Sequence, residues 1–238
     1  MNLFRKKSAP VVNPVPARDR VPAGLVTLTK TAGVSLEKAG LEQQRAAVQL
    51  VLDHSGSMSP FYEDGSVQRL AEQALALSVH LDDDGQVPLT YFGSREISVG
   101  DIDLDGYEGV IARTHRRVPW GSTDYVAGMK EAVEQHGHST RPGLVIFQTD
   151  GNPDDRSATE SYLRTTSRDE AIFWAFVGFG RNTQFLRGLD DLAGRAVDNA
   201  AFIDAADPWA LSDDDLYDAI VQPFREWLRA ATAAGIVR

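Results

Sequence analysis

Three stretches of this chain are apolar almost without a break: "VQLVLD" from Val48, "GLVIFQTDG" from Gly143 and "IFWAFVGFG" from Ile172. A strand with one wet face alternates, so a run without a polar beat is buried on both faces. Such runs alternate with helical stretches, as in "SVQRLAEQALALSVHL", where Leu70, Ala74, Leu77 and Leu81 recur at helical spacing. Parallel strands need a crossover, usually a helix. Together these features predict an α/β fold: a doubly wound, mainly parallel central sheet flanked by helices. "VPLTYFG" and "AAFIDA" supply further strands, and "REISVGDIDLDGY" reads as a short edge strand and turn. "TDYVAGMKEAVEQHG", "SATESYLRTTSRDEA", "NTQFLRGLDDLAGRA" and a closing stretch from Ser212 read as helices, the last with Pro223 inside it as a source of bending.

The first 46 residues differ. They are Pro-rich and aperiodic over "KKSAPVVNPVPARDRVPAG", and "LVTLTKTAGVSLEKAG" carries strand-like alternation broken by Gly33 and Gly40. Residues 1–46 therefore read as a tail or linker holding at most a short strand, dispensable to a domain at 47–238. "MNLFRKKSAP" has basic residues but no apolar stretch behind them, so no signal peptide is expected, and no apolar run is long enough for a bilayer. A cytoplasmic location is the default. The net charge of −10 argues against a general nucleic-acid binder, and the absence of cysteine removes thiolate metal sites and Cys nucleophiles.

Ligands of open α/β sheets bind beyond the carboxyl ends of the strands. Asp53 and Asp150 both stand at such ends, in "LVLDHSGSMSP" and "QTDG". Asp53, Ser55 and Ser57 alternate along the chain, and Thr123 lies in "PWGSTDYV" just before a helix. Each loop alone is explained by an Asx turn, a strand-to-loop turn or a helix N-cap. Together they carry two carboxylates and three hydroxyls, all hard oxygen donors that suit Mg²⁺ or Mn²⁺ and not zinc.

"DHSGS", then the Thr of "GSTD", then "TDG" resembles the metal-ion-dependent adhesion site of von Willebrand factor A domains. The likeness runs from about Val48 to the C-terminus. It implies a doubly wound sheet with six or so helices and one short antiparallel edge strand. Within that family, "FYEDGSVQRLAEQALALSVHLDDDGQVPLTYFG" and "VPWGSTDYVAGM" are similar to TerF-type tellurium-resistance proteins, which can carry a TerD-like domain ahead of the A domain. The residues before Ala47 are too few for one. The resemblance implies Ser55, Ser57 and Thr123 as direct metal ligands, with Asp53 and Asp150 close by and often acting through water. It also implies a metal-bridged contact with the Asp or Glu of a protein partner in a tellurium-resistance or stress-response system, and no catalysis.

A rival from another class is a metal-dependent phosphohydrolase using the same acidic mouth. Only two carboxylates approach the ion, and the three loops hold no Lys or Arg to clamp a phosphate, leaving Arg95 or Arg113 to reach in. "DIDLDG" (Asp101 to Gly106) begins like a calcium loop but has Ala112 where a Glu is needed, so it reads as strand and turn. The acidic runs Asp82–Asp84 and Asp213–Asp215 read as solvated, the second at a helix start. His136 and His138 read as surface residues, and His54 as a loop residue, not a base. "VGFGRN" lacks the third glycine of a dinucleotide loop, and no phosphate-binding Gly-Lys loop or hydrolase elbow is present.

Overall fold

The computed structural model describes residues 16–82, 84–137 and 139–238. Its strands are β1 (Ala47–Asp53), β2 (Gln86–Phe92), β3 (Glu96–Asp103), β4 (Gly143–Thr149), β5 (Ile172–Phe179) and β6 (Ala200–Ala205). Its helices are α1 (Val26–Ala39), α2 (Ser59–Glu63), α3 (Ser66–Leu81), α4 (Val110–Thr114), α5 (Tyr125–His136), α6 (Arg156–Asp169), α7 (Gln184–Asp190) and α8 (Asp213–Ala233). The sheet order is β3-β2-β1-β4-β5-β6. Every neighbouring pair is parallel except β2 with β3, which is antiparallel at the edge. The doubly wound, mainly parallel sheet and its short antiparallel edge are as the sequence predicts.

Alternate side chains of the apolar runs feed two cores. Leu50, Leu52, Leu89, Tyr91, Ile146 and Phe173 join one with α1, α3 and α8. Val51, Phe92, Phe147, Trp174 and Phe176 join the other with Tyr125 and Met129 of α5, Leu163 of α6 and Leu186 of α7. The strand order reverses between β1 and β4, where crevices open in such sheets. Asp53 ends β1 and Asp150 follows β4, so both carboxylates stand at that switch point.

The segment before β1 departs from expectation. Residues 26–39 are helix, not strand, and α1 packs against α3 and α8. Its buried residues are Thr29, Ala32, Ser35, Leu36 and Ala39, a spacing of three and four that belongs to a helix. The β-branched Val26, Thr27, Thr29, Thr31 and Val34 mask that period, because they favour strands. Gly33 is a point of close approach: a Cβ there would lie 3.0 Å from His80 Cε1 on α3. His80 Nε2 donates to the Thr29 carbonyl at 2.8 Å, and Arg18 donates to the His80 carbonyl at 3.0 Å. The helix ends on Gly40, which takes the left-handed conformation (φ 68°). The first 15 residues, with most of the Pro-rich stretch, lie outside the described residues.

Three weaker readings are settled by contacts. In "DIDLDG", Asp103 Oδ1 accepts from the amides of Asp105 (2.9 Å) and Gly106 (2.6 Å), while Ile102 and Leu104 are buried. This is an Asx turn closing a strand. His136 is buried, not on the surface, and burial lowers its pKa; His138 lies outside the described residues. Of the acidic runs, Asp82 pairs with Arg141 at 2.7 Å and Asp213 with Arg69 at 3.0 Å, so both are more engaged than free solvated charges; Asp83 lies outside the described residues.

The N-terminal helix is therefore part of the folded unit. Leu25 is fully buried and Leu36 nearly so. Leu36→Ala is expected to cost roughly 2–5 kcal/mol in denaturant unfolding. Deleting residues 1–40 is expected to lower the thermal midpoint by more than about 10 °C; a midpoint within about two degrees of the full chain would show α1 to be a passive cover. The clamp also carries a pH signature. Burial lowers the His80 pKa from 6.5, so the unfolded chain binds protons more readily there. Stability from His80 is then fully present above pH 6.5 and is lost as pH falls below it. Urea titrations across that range should show this slope in the wild type and a weaker one in His80→Gln.

Candidate metal centre

The β1 strand runs straight into the first loop. Asp53 is fully buried, and both of its oxygens are engaged. Oδ1 accepts from the Ser55 amide at 2.7 Å, and Oδ2 from the Thr149 hydroxyl at 2.6 Å. The Tyr62 hydroxyl donates to the Asp53 carbonyl at 2.8 Å, tying α2 to the same point. From there a chain of hydroxyls leads outward. Ser55 Oγ lies 3.2 Å from Ser57 Oγ, and Ser57 Oγ donates to Asp150 Oδ1 at 2.9 Å. Asp53, Ser55, Ser57 and Asp150 are thus joined in one hydrogen-bonded line.

Thr123 arrives on a third loop that is fastened to the other two. Gly121 pairs with Ser55 in an isolated parallel bridge, and its amide donates to the His54 carbonyl at 3.0 Å. A Cβ on Gly121 would stand 2.4 Å from the Ser94 amide nitrogen, so only glycine permits this approach to the β2 end. On the far side, the Thr123 amide donates to Asp154 Oδ2 at 3.2 Å, and the Asp154 amide to the Thr123 carbonyl at 3.0 Å. The helix N-cap is Asp124, whose side chain accepts from the Ala127 amide, and not Thr123. Among the described residues the Thr123 hydroxyl makes no hydrogen bond, which leaves it free for a ligand.

Burial dominates the electrostatics. It pushes the Asp53 carboxyl up to about 6, against the bonds from Thr149 and Ser55, with a smaller upward push from Asp150. Burial also raises Asp150, partly offset by the Ser57 bond. Among the described residues no Lys or Arg forms an ion pair with either.

Some of this support is invisible in the motif. Thr149 is fully buried and holds Asp53, and its only outward sign is a polar residue at the end of a solid apolar run. The Tyr125 hydroxyl donates to the Gly151 carbonyl at 2.6 Å and steadies the Asp150 loop. His54 is a loop residue, as expected, but a buried one. Its ring is buried, burial lowers its pKa to about 4, and it stacks on Trp120 with centroids 3.9 Å apart.

Comparison with known proteins places the fold and the family. A von Willebrand factor type A protein from Catenulispora acidiphila superposes with a TM-score of 0.53 at 16% identity, over 81% of this chain. The present chain spans 43% of that protein, less than half its length. The SpRpn10 VWA domain superposes with a TM-score of 0.52 at 12% identity, over 72% of this chain and 93% of that one. At such identities the likeness is one of fold: that of a von Willebrand factor A domain. The model of the vWA-TerF-like family, the vWA found in the TerF C terminus, matches residues 45–237, and the chain belongs to that family. The uncharacterized protein YcbR of Bacillus subtilis (strain 168) is 35% identical over 217 residues, covering 88% of each chain. In general terms, membership makes this a domain of the metal-dependent protein-interaction type. Among the described residues no helix is long and apolar enough to cross a membrane.

The two carboxylates face one mouth, and among the described residues neither forms an ion pair with a Lys or Arg. In the metal-free protein, Asp150→Asn keeps an acceptor for Ser57 and removes a charge. Its thermal midpoint by calorimetry in EDTA is expected to equal or exceed that of the wild type. A fall of more than about 5 °C would assign Asp150 to the scaffold.

Proposed function

We propose that the three loops hold Mg²⁺ or Mn²⁺, and that the chain uses the ion to grip an Asp or Glu carboxylate of a protein partner. Ser55, Ser57 and Thr123 are the direct ligands on this reading, and Asp53 and Asp150 stand beside the ion and act through water. The observation that carries it is a fully buried carboxylate, Asp53, beside the half-buried Asp150 at one mouth, with no Lys or Arg among the described residues paired to either. Such groups are costly unless a cation joins them. The donor set is oxygen throughout, which fits a hard divalent ion. Asp53 has both oxygens occupied by Ser55 and Thr149, which suits an outer role. A bound divalent ion ringed largely by neutral hydroxyls keeps unsatisfied positive charge and attracts one more anionic oxygen. The biological setting we infer from the TerF-type family is a cytoplasmic tellurium-resistance or stress-response assembly.

The domain works on this reading as a binding module and not as a phosphohydrolase. Arg113, one of two arginines within reach by sequence, donates instead to the carbonyls of Gly106 and Glu108. Arg95 lies in a cleft beside Trp120. Arg113, held this way, supplies no clamp for phosphoryl transfer.

Calorimetric titration with Mg²⁺ is expected to show one site in the wild type and to lose it in Ser57→Ala and Thr123→Ala. At saturating Mg²⁺, about a hundredfold over its dissociation constant, the wild type should gain about 2.7 kcal/mol of stability. Pull-down from cell extract should recover partners in Mg²⁺ that EDTA or Asp150→Ala removes, with no phosphate released from a generic phosphate ester. Hydrolysis by the wild type that disappears in Asp150→Ala would instead make the site catalytic.

A further inference from the structure

One side of the mouth is bordered by an aromatic and basic ledge. Trp120 is 44% exposed, yet its indole is not loose. It lies parallel to the His54 ring, 7° between planes, and meets Tyr62 edge-on at 5.4 Å. His54 is held in turn by the Pro119 carbonyl at 3.3 Å and by neighbouring His115, whose Nδ1 lies 3.5 Å from His54 Nε2. One face of Trp120 is therefore pinned while the rest meets solvent. A pre-ordered aromatic loses little freedom on contact and makes a good anchor. Beside it a cleft of about 160 Å³ is lined by Arg95, Ile97, Val118, Pro119, Trp120 and the Gly121 that pairs with Ser55.

The charge of this ledge runs against that of the molecule. The chain carries a net −10, but Arg95, Arg116 and Arg117 are all exposed here. Among the described residues none of the three forms an ion pair. Elsewhere Arg69, Arg141, Arg164, Arg187 and Arg195 each hold an Asp or Glu. Arg116 and Arg117 follow His115 in a short turn (His115–Arg117), which the His54 contact places next to the Ser55 loop. The opposite rim carries Asp154, bonded to the Thr123 amide, and Asp155, which caps α6. Both signs meet on that rim, where exposed Arg156 follows Asp155 and exposed Arg181 adjoins Asn182, which bonds Asn152 of the Asp150 loop.

We propose that this ledge receives an acidic protein segment bearing an aromatic or large apolar side chain. Several of its carboxylates pair with Arg95, Arg116 and Arg117, and the apolar side chain enters the cleft against Trp120. The proposal rests on the metal-bridge reading for one further carboxylate, which goes to the ion. Charge complementarity of this kind sets partner choice and encounter rate more than a single contact does. Single-stranded nucleic acid also uses arginine and tryptophan, but the overall negative charge of the chain opposes it.

The test uses the full chain and fluorescent twelve-residue peptides in a Gly-Ser background, read by anisotropy in Mg²⁺ and in EDTA. One peptide carries four Glu and a Phe, a second one Glu and a Phe, a third four Lys and a Phe. In Mg²⁺ the four-Glu peptide is expected to bind about tenfold or more tightly than the one-Glu peptide. The double variant Arg116→Glu, Arg117→Glu should erase that advantage while leaving the heat of Mg²⁺ binding unchanged. Trp120→Ala should weaken both Glu-Phe peptides by about fivefold or more. The ledge proposal is overturned by equal affinity for four-Glu and one-Glu peptides, by no binding of either, by indifference to the arginine reversals, or by a dT oligonucleotide binding as tightly as the four-Glu peptide. If the one-Glu peptide binds in Mg²⁺ only and the extra Glu residues add nothing, the metal bridge stands and the ledge falls. If the four-Glu advantage persists in EDTA and Mg²⁺ gives no heat, the ledge stands and the metal bridge falls.

Discussion

A carboxylate buried at the end of a central strand is the constraint around which this mouth is organised. Asp53 stays there because the Ser55 amide and the Thr149 hydroxyl satisfy both oxygens. Those two bonds do more than pay for desolvation. The first folds the chain into an Asx turn that sends Ser55 and Ser57 outward. The second locks β1 to the end of β4, the one place in the sheet where the strand order reverses. The crevice exists because adjacent crossovers leave in opposite directions there, and Asp53 keeps its two walls in register. Asp150, one residue beyond Thr149, is then held where Ser57 can donate to it.

The third wall depends on glycine. Gly121 comes close enough to Gly93 and Ser94 that a methyl group would collide with backbone. That contact lets the Thr123 loop continue the sheet as a single bridge to Ser55. The loop is held from the other side by Asp154, so its hydroxyl position is fixed by backbone on both flanks and not by its own hydrogen bond. A site built this way is ordered before any ligand arrives, and ordering is a cost that binding then avoids.

The sheet was legible because parallel strands leave a plain mark: β4 and β5 are buried at every position, and the sequence shows them as unbroken apolar runs. The Asp and Ser positions were legible because polar oxygens at strand ends stand out against such runs. What could not be read was anything set by partners distant in sequence. Residues 26–39 carry five β-branched side chains and a glycine, a poor local case for a helix. They form one because Ala32, Leu36 and Ala39 find α3 and α8 across the fold, and tertiary burial outweighs propensity. Thr149 looked like the last residue of a strand, and only the 2.6 Å bond reveals its hold on Asp53. His54 looked like a spacer between ligands, since nothing near it in sequence indicates that Trp120 will lie on its ring.

That spacer links the two halves of the mouth. Along an extended chain neighbours point to opposite sides, so a segment that turns Asp53 and Ser55 toward one space must turn His54 toward the other. The other space is filled by Tyr62, Tyr91, His115 and Trp120. The loop that presents hydroxyls on its front therefore carries the Trp120 loop on its back. Burial keeps His54 neutral, with its pKa lowered to about 4, so the stack adds no positive charge behind the hydroxyls at neutral pH. The positive charge of this region resides instead in the exposed Arg95, Arg116 and Arg117. On the reading proposed above, one imidazole joins recognition to coordination, because Trp120 rests on His54 and His54 sits between Asp53 and Ser55 in the chain.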